Sequence, residues 1–212
     1  MNGLALALSA LALASAVTTI AAEFRDARRL VYIAKPLTVV LILIIAARAV
    51  PAFAPPYQAM ILAGLGCSLV GDVFLMLRRK RFMEGLLAFL AAQLFYIAAF
   101  RSGISFSLAS VATISFVIFG LIMIRVLLPY LGTMKIPVTI YVFIIVTMAS
   151  LAAERFIGIG GTKTLAAFIG AVLFLISDST LAVDHFARKI KYGQAVILGT
   201  YFAAQWLIAM SV

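Results

Sequence analysis

Eight apolar runs, at about 3–21, 32–49, 57–77, 83–100, 106–128, 137–153, 164–184 and 192–211, take up most of the 212 residues. A helix that crosses ~30 Å of hydrocarbon needs about 20 residues, and these runs are close to that length. Hydrophobic residues make up 66% of the chain and charged residues 11%, against about 45–50% and about 25% in a soluble domain. The expected fold is all-α: a polytopic membrane bundle of about eight transmembrane helices, one domain over residues 1–212. Connections are short, and none is a Ser- or Gly-rich linker. All six prolines fall at or near the ends of the runs, where they do not break a helix. The first run carries Ala14-Ser15-Ala16, which has the look of a cleavage site. No Lys or Arg precedes Arg25, however, and a signal peptide usually opens on positive charge, so a retained first helix is expected.

Seventeen Lys and Arg stand against seven Asp and Glu, for a net charge of +10. The basic residues sit in short clusters between apolar runs. That pattern sets membrane topology and suits anionic lipid headgroups, and it argues against nucleic acid as a partner. Thirteen of the seventeen lie in alternate loops: Arg25, Arg28, Arg29 and Lys35; Arg78, Arg79, Lys80 and Arg81; Arg125 and Lys135; and Arg188, Lys189 and Lys191. The positive-inside rule then places both termini outside the cytoplasm. The expected location is the membrane itself, the inner or plasma membrane if the cell is bacterial. Cys67 is the only cysteine and His185 the only histidine. An intrachain disulfide, a cysteine metal site and a His-rich zinc centre are all excluded, and no metal or cofactor is expected.

Two apolar runs carry a carboxylate well inside their ends: Asp72 in the third and Asp178 in the seventh. An ionisable group inside a membrane span costs about 2.5–3.5 kcal/mol even on the lenient insertion scale, and it normally faces protein or a water-filled cavity. Asp72 precedes Arg78 by six residues, and Asp178 precedes Asp184 by six. Both therefore lie ~9 Å inside the same end of the bundle, which suggests one shared cavity. Other polar groups aim at that level. Lys35 opens the second span, with Thr38 one turn further in. Gln93 and Tyr96 share a face of the fourth, and Tyr141 is one turn into the sixth. Gln194, Tyr201 and Gln205 form one stripe on the eighth. Gly64, Ser68 and Gly71 make a small-residue stripe that leads to Asp72 and permits close helix packing.

On the residues alone, three readings of the carboxylates stand open: catalysis, a proton or ion pathway, and a structural pair with Lys35. Lys35 also fits a snorkelling interfacial lysine. The run Arg78–Arg81 reads first as a topology signal and second as a phosphate contact. His185 reads as a surface residue. Ser177 and Ser179 flank Asp178, but no Gly-x-Ser-x-Gly elbow and no histidine in that span support a serine nucleophile.

Several motifs together carry a resemblance. They are Lys35-Pro36-Leu37-Thr38, Gly71-Asp72, Phe89-x-x-x-Gln93-x-x-Tyr96 with Phe100, Ser177-Asp178-Ser179 with Ala182 and Phe186, and Thr200-Tyr201-x-x-x-Gln205. In this set and order the chain resembles the YhhN-type lysoplasmalogenase family, from the second span to the eighth. One departure is Gln93, where many members are expected to carry histidine. Glutamine donates and accepts hydrogen bonds but does not titrate. The resemblance implies hydrolysis of the vinyl ether bond of lysoplasmalogens to a fatty aldehyde and a glycerophospho-alcohol. It implies Asp72 and Asp178 as the catalytic pair, with Lys35, Gln93, Tyr96, Tyr141, Ser177, Tyr201 and Gln205 around the substrate. The implied partners are a lysophospholipid and the bilayer; the oligomeric state is left open. Two other classes compete with a hydrolase: a proton-coupled carrier of lipids or small cations, and a non-catalytic lipid-binding homologue.

Overall fold

A computed structural model describes residues 3–53, 55–77, 81–104 and 110–212. Among them there are eight long helices: α1 (Gly3–Phe24), α2 (Arg28–Arg48), α3 (Pro55–Met76), α4 (Phe82–Arg101), α5 (Val111–Leu127), α6 (Lys135–Ile159), α7 (Thr162–Ala182) and α8 (Gly193–Met210). All eight helices are long and apolar enough to cross a membrane. Short connections make successive helices antiparallel. Arg25, Arg28, Arg29, Arg188, Lys189 and Lys191 therefore gather at one end, the basic end. Arg78, Arg79 and Lys80 lie outside the described residues, as does the expected start of the fifth span at 106–109. Within the described part, α5 begins at Val111, where the Ser110 hydroxyl accepts from the Thr113 amide at 3.1 Å. A side-chain oxygen is the usual cap for the free N–H groups of a first turn.

Six helices form a ring. α2 packs on α3, α3 on α4, α4 on α6, α6 on α7, α7 on α8, and α8 returns to α2. α1 lies outside the ring against α2 and α8, and α5 lies outside against α6. These two outliers expose the most apolar surface, with Leu11, Leu13 and Val17 on α1 and Leu121 and Ile122 on α5 more than half exposed. Such faces suit lipid, because lipid tails are as apolar as the side chains themselves. Inside the ring the small-residue stripe does what its spacing predicts. A Cβ on Gly64 would stand 2.3 Å from the Tyr96 ring, and one on Gly71 would stand 2.8 Å from Phe89. Two aromatic rings of α4 thus lie directly on the α3 backbone, and Ser68 is fully buried between them.

The helix ends differ from the sequence expectation in places. Pro36 sits inside α2, not near its end, because the helix already starts at Arg28. Proline lacks the N–H that would bond the carbonyl four residues back, but membrane helices tolerate this where neighbouring helices hold the chain. α6 runs on to Ile159 through Glu154 and Arg155, which read as the end of a span. Ser110 donates to Glu154. The Arg155 guanidinium lies over Phe53 at 4.3 Å and Tyr57 at 4.8 Å and donates to the Ser102 carbonyl. Both side chains thus find polar or aromatic partners within the protein, which lets the helix continue. Tyr57 in turn hydrogen-bonds Ser211 at 2.7 Å, closing the end opposite the basic loops. At the basic end α7 widens into a π-helical turn, Val183–Ala187. The buried Asp184 accepts from Lys189 at 2.7 Å and from the Ile190 amide at 2.9 Å, tying that turn to the start of α8. Between α1 and α2, Asp26 adopts a left-handed backbone with φ 50°, which reverses the chain within three residues.

Candidate active site

Asp72 lies one turn from the end of α3 and is buried. Its Oδ1 is 2.9 Å from the Lys35 ammonium of α2, and its Oδ2 accepts from the Tyr201 hydroxyl of α8 at 2.6 Å. Three elements of the ring therefore converge on one carboxylate. Lys35 is itself buried, so the pair is largely shielded from solvent. Removing one partner of such a pair leaves the other charge uncompensated.

Asp178 lies across the ring on α7. Its Oδ2 accepts two hydrogen bonds, from Gln93 Nε2 of α4 at 3.2 Å and from the Tyr141 hydroxyl of α6. Among the described residues no Lys or Arg stands within ion-pair distance of it. The two carboxylates thus occupy separate hydrogen-bond clusters, one at α2–α3–α8 and one at α4–α6–α7. Phe89 joins them. Its ring meets Tyr201 edge-on at 5.8 Å, and it also lines the cavity that Asp178 borders.

The other expected site residues fall into three groups. Tyr96 donates to Gln205 Oε1 at 2.7 Å, a contact between α4 and α8 nearer the closed end. Ser177 donates to the Ile197 carbonyl at 3.0 Å in the seam between α7 and α8, apart from both carboxylates. Thr38 faces α1, its hydroxyl 2.9 Å from both Ser15 Oγ and the Ala34 carbonyl. Gln93 Oε1 and Gln205 Nε2 are buried and make no hydrogen bond within the described protein. An unpaired buried polar atom costs about 1–3 kcal/mol, so both are disposed to take a polar ligand atom. Among the described residues no group of three His, Cys, Asp or Glu comes together as a metal site would require.

Two cavities meet at this level. The first is an apolar slot of about 640 Å³, its open mouth included. Phe89, Phe119, Met123, Val142 and Leu175 are among its walls, and Tyr141 and Asp178 supply its polar groups. The second is a polar vestibule at the basic end, about 1220 Å³ with the open solvent at its mouth included, with Lys35, Tyr32, Arg28, Glu23, Asp26, His185 and Gln194 in its walls. Leu75, Phe82 and Leu181 border both and form a neck between them. Phe82 is held there by His185, stacked on it at 4.1 Å with planes 5° apart. Sequence reasoning missed this neck and the vestibule's mouth. One signal was present: Arg28, Tyr32 and Lys35 recur at +4 and +3, one stripe of α2. The arrangement can hold a molecule with an apolar part and a charged part and present the Asp178 carboxylate to it, while Asp72 lies buried behind Lys35 and Tyr201 in the wall of neither cavity.

Residues 30–212 match the sequence profile of the YhhN family. The chain is 29% identical over 200 residues to an uncharacterized membrane protein YhhN of Escherichia coli O6:H1, covering 93% of this chain and 94% of that one. It is 35% identical over 170 residues to human lysoplasmalogenase TMEM86A, covering 74% and 67% respectively. With pig lysoplasmalogenase TMEM86B it shares 34% identity over 175 residues, covering 82% and 71%. No solved structure matches the chain.

Proposed function

We propose that this chain, which belongs to the YhhN family, is an integral membrane hydrolase that cleaves the vinyl ether bond of lysoplasmalogens. Its animal relatives bear the name lysoplasmalogenase. The observation that carries the reading is the pair of intramembrane carboxylates with unlike partners. One is held by an ammonium, and the other lies in the wall of an apolar slot.

A vinyl ether resists base and is cleaved by acid, so the site must deliver a proton to carbon and then stabilise a cation. Asp178 borders the slot, and both of its hydrogen bonds are accepted by Oδ2, leaving Oδ1 to carry a proton. In the proposed reaction Asp178 protonates the β-carbon of the alkenyl chain. The ether oxygen shares its lone pair, giving an oxocarbenium ion. Asp72, fixed by Lys35 and Tyr201, is the anion that stabilises this cation. Water adds to the α-carbon, and its proton passes to the carboxylate that gave one up. The hemiacetal then breaks its bond to the glycerol oxygen. That oxygen leaves as the alcohol, the hemiacetal hydroxyl loses its proton, and the fatty aldehyde departs along the slot. Gln93, bonded to Asp178 through Nε2, has its acceptor Oε1 available to orient the water. Two carboxylates in unlike surroundings are the general means of running acid and base roles side by side.

The test is release of aldehyde by the purified protein from a lysoplasmenyl lipid and from its saturated ether analogue. Aldehyde is expected from the vinyl ether only. Asp178→Asn and Asp72→Asn are each expected to lose at least about 100-fold in turnover, the lower range for a general acid–base group. Full turnover in either variant removes that residue from the mechanism.

A further inference from the structure

Seven acidic residues are set against seventeen basic ones in this chain, and two of the seven, Glu23 and Asp26, stand together in one short turn. They lie in the turn between α1 and α2, at the basic end, in the wall of the vestibule. The positive-inside pattern does not call for carboxylates there. The same wall carries a descending line of groups on α2. The Arg28 side chain is 76% exposed at the mouth, Tyr32 follows one turn below, and the Lys35 side chain is 11% exposed at the floor. From Arg28 to Lys35 the helix rises about 10 Å. Read outward from the slot, the walls offer apolar side chains, the Asp178 carboxylate, then a lysine, an arginine and two acids. That is the order of groups along a single-chain phospholipid whose headgroup ends in an ammonium: alkyl chain, linkage, phosphate, amine.

We propose that the α1–α2 turn is a headgroup subsite for zwitterionic lipids, with Glu23 and Asp26 taking the terminal ammonium and Arg28 and Lys35 the phosphate. This rests on the hydrolase reading for its role in substrate choice, but the subsite binds whether or not turnover follows. Asp26 and Arg28 already face each other at 3.1 Å. This exposed pair is a dipole against which a phosphate–ammonium dipole can lie antiparallel, exchanging one set of partners for another. An anionic headgroup offers only the phosphate, so it would leave both acids unpaired and repelled. Glu23, Asp26 and Arg28 precede residue 30, where the family profile begins to match.

The experiment uses the full-length protein in detergent. Lysoplasmenyl ethanolamine and lysoplasmenyl glycerol phospholipids serve as substrates, and their saturated alkyl-ether analogues as binding competitors for a fluorescent lysolipid. Wild type is compared with Glu23→Gln/Asp26→Asn. Wild type is expected to favour the ethanolamine lipid. In the double variant the KM for that lipid is expected to rise about five-fold, the scale of an exposed charge contact. The KM for the anionic lipid is expected to fall, because Arg28 is released from Asp26. kcat is expected to hold for both, and the preference to fade as salt is raised. Equal shifts for both headgroups, or none, overturn the subsite. If no aldehyde forms, the binding arm decides. A zwitterion preference lost in the variant supports the subsite while the hydrolase reading fails, and binding blind to the headgroup overturns the subsite.

Discussion

At the residue scale, the buried ion pair between Lys35 and Asp72 is a costly feature. Two charges are taken out of water, and their attraction repays this only while both are present and well placed. Lys35→Met is therefore expected to destabilise the protein by about 3–5 kcal/mol. Lys35→Met combined with Asp72→Asn is expected to cost less than the sum of the two single changes, as read by thermal unfolding in detergent. Additive losses would show that the two side chains do not act as a pair. Asp178 is different: its partners are a phenol and an amide. Tyr141→Phe removes one donor from Oδ2 and is expected to lower kcat about ten-fold with little change in KM. A change in KM alone would place Tyr141 in binding instead. Much of this was legible in the sequence, because Lys35, Gln93, Tyr141 and Tyr201 are polar groups at one depth in otherwise apolar runs. The sequence did not show how they divide between the two carboxylates. Helical spacing shows which residues share a face, but not which helix that face meets. For the same reason Thr38, one turn from Lys35, reads as part of the site but bonds across to Ser15 on α1.

At the scale of elements, the site depends on how closely α3 and α4 approach. Gly64 and Gly71 let Tyr96 and Phe89 lie on the α3 backbone, and Phe89 is the ring that links the two carboxylate clusters. Gly71→Ala is expected to push Phe89 outward, with a loss of about 1–3 kcal/mol from overpacking and a drop in activity. Gly66→Ala, where a Cβ meets nothing, is the control and is expected to be silent in both thermal unfolding and aldehyde release. The eight spans were readable from length and hydropathy, and most ends fall within a few residues of expectation. The exceptions have one cause. Glu154 and Arg155 look like the end of a span, but neutral partners far along the chain hold them inside it, Ser110 for one and Phe53, Tyr57 and Ser102 for the other. Pro36 is a second case, since a proline marks a helix end only where no neighbouring helix holds the segment.

At the scale of the whole molecule, the bundle is closed at one end by the Arg155 cage and the Tyr57–Ser211 contact, and open at the other through the vestibule. The basic residues at the open end are expected to face the cytoplasm. Labelling of single cysteines in intact cells checks this. A cysteine at Val50 is expected to react with an impermeant reagent, and one at Arg188 only after the membrane is opened, with Cys67→Ala as the background. The cavities themselves were beyond the reach of the sequence. A slot and a vestibule arise from six helices that close into a ring, and no local pattern encodes which faces of that ring stay apart. The polar and apolar character of the two cavities does follow from composition, since Arg28, Tyr32 and Lys35 mark one and a continuous apolar wall marks the other.

The most direct measurement of the central claim is aldehyde release from a lysoplasmenyl lipid and its saturated ether analogue, by wild type and by Asp178→Asn. The account predicts aldehyde from the vinyl ether alone, lost in a variant that still inserts and still binds the saturated analogue. An Asp178→Asn protein that releases aldehyde at the wild-type rate, or a well-folded wild type that releases none in detergent and in liposomes, would contradict it.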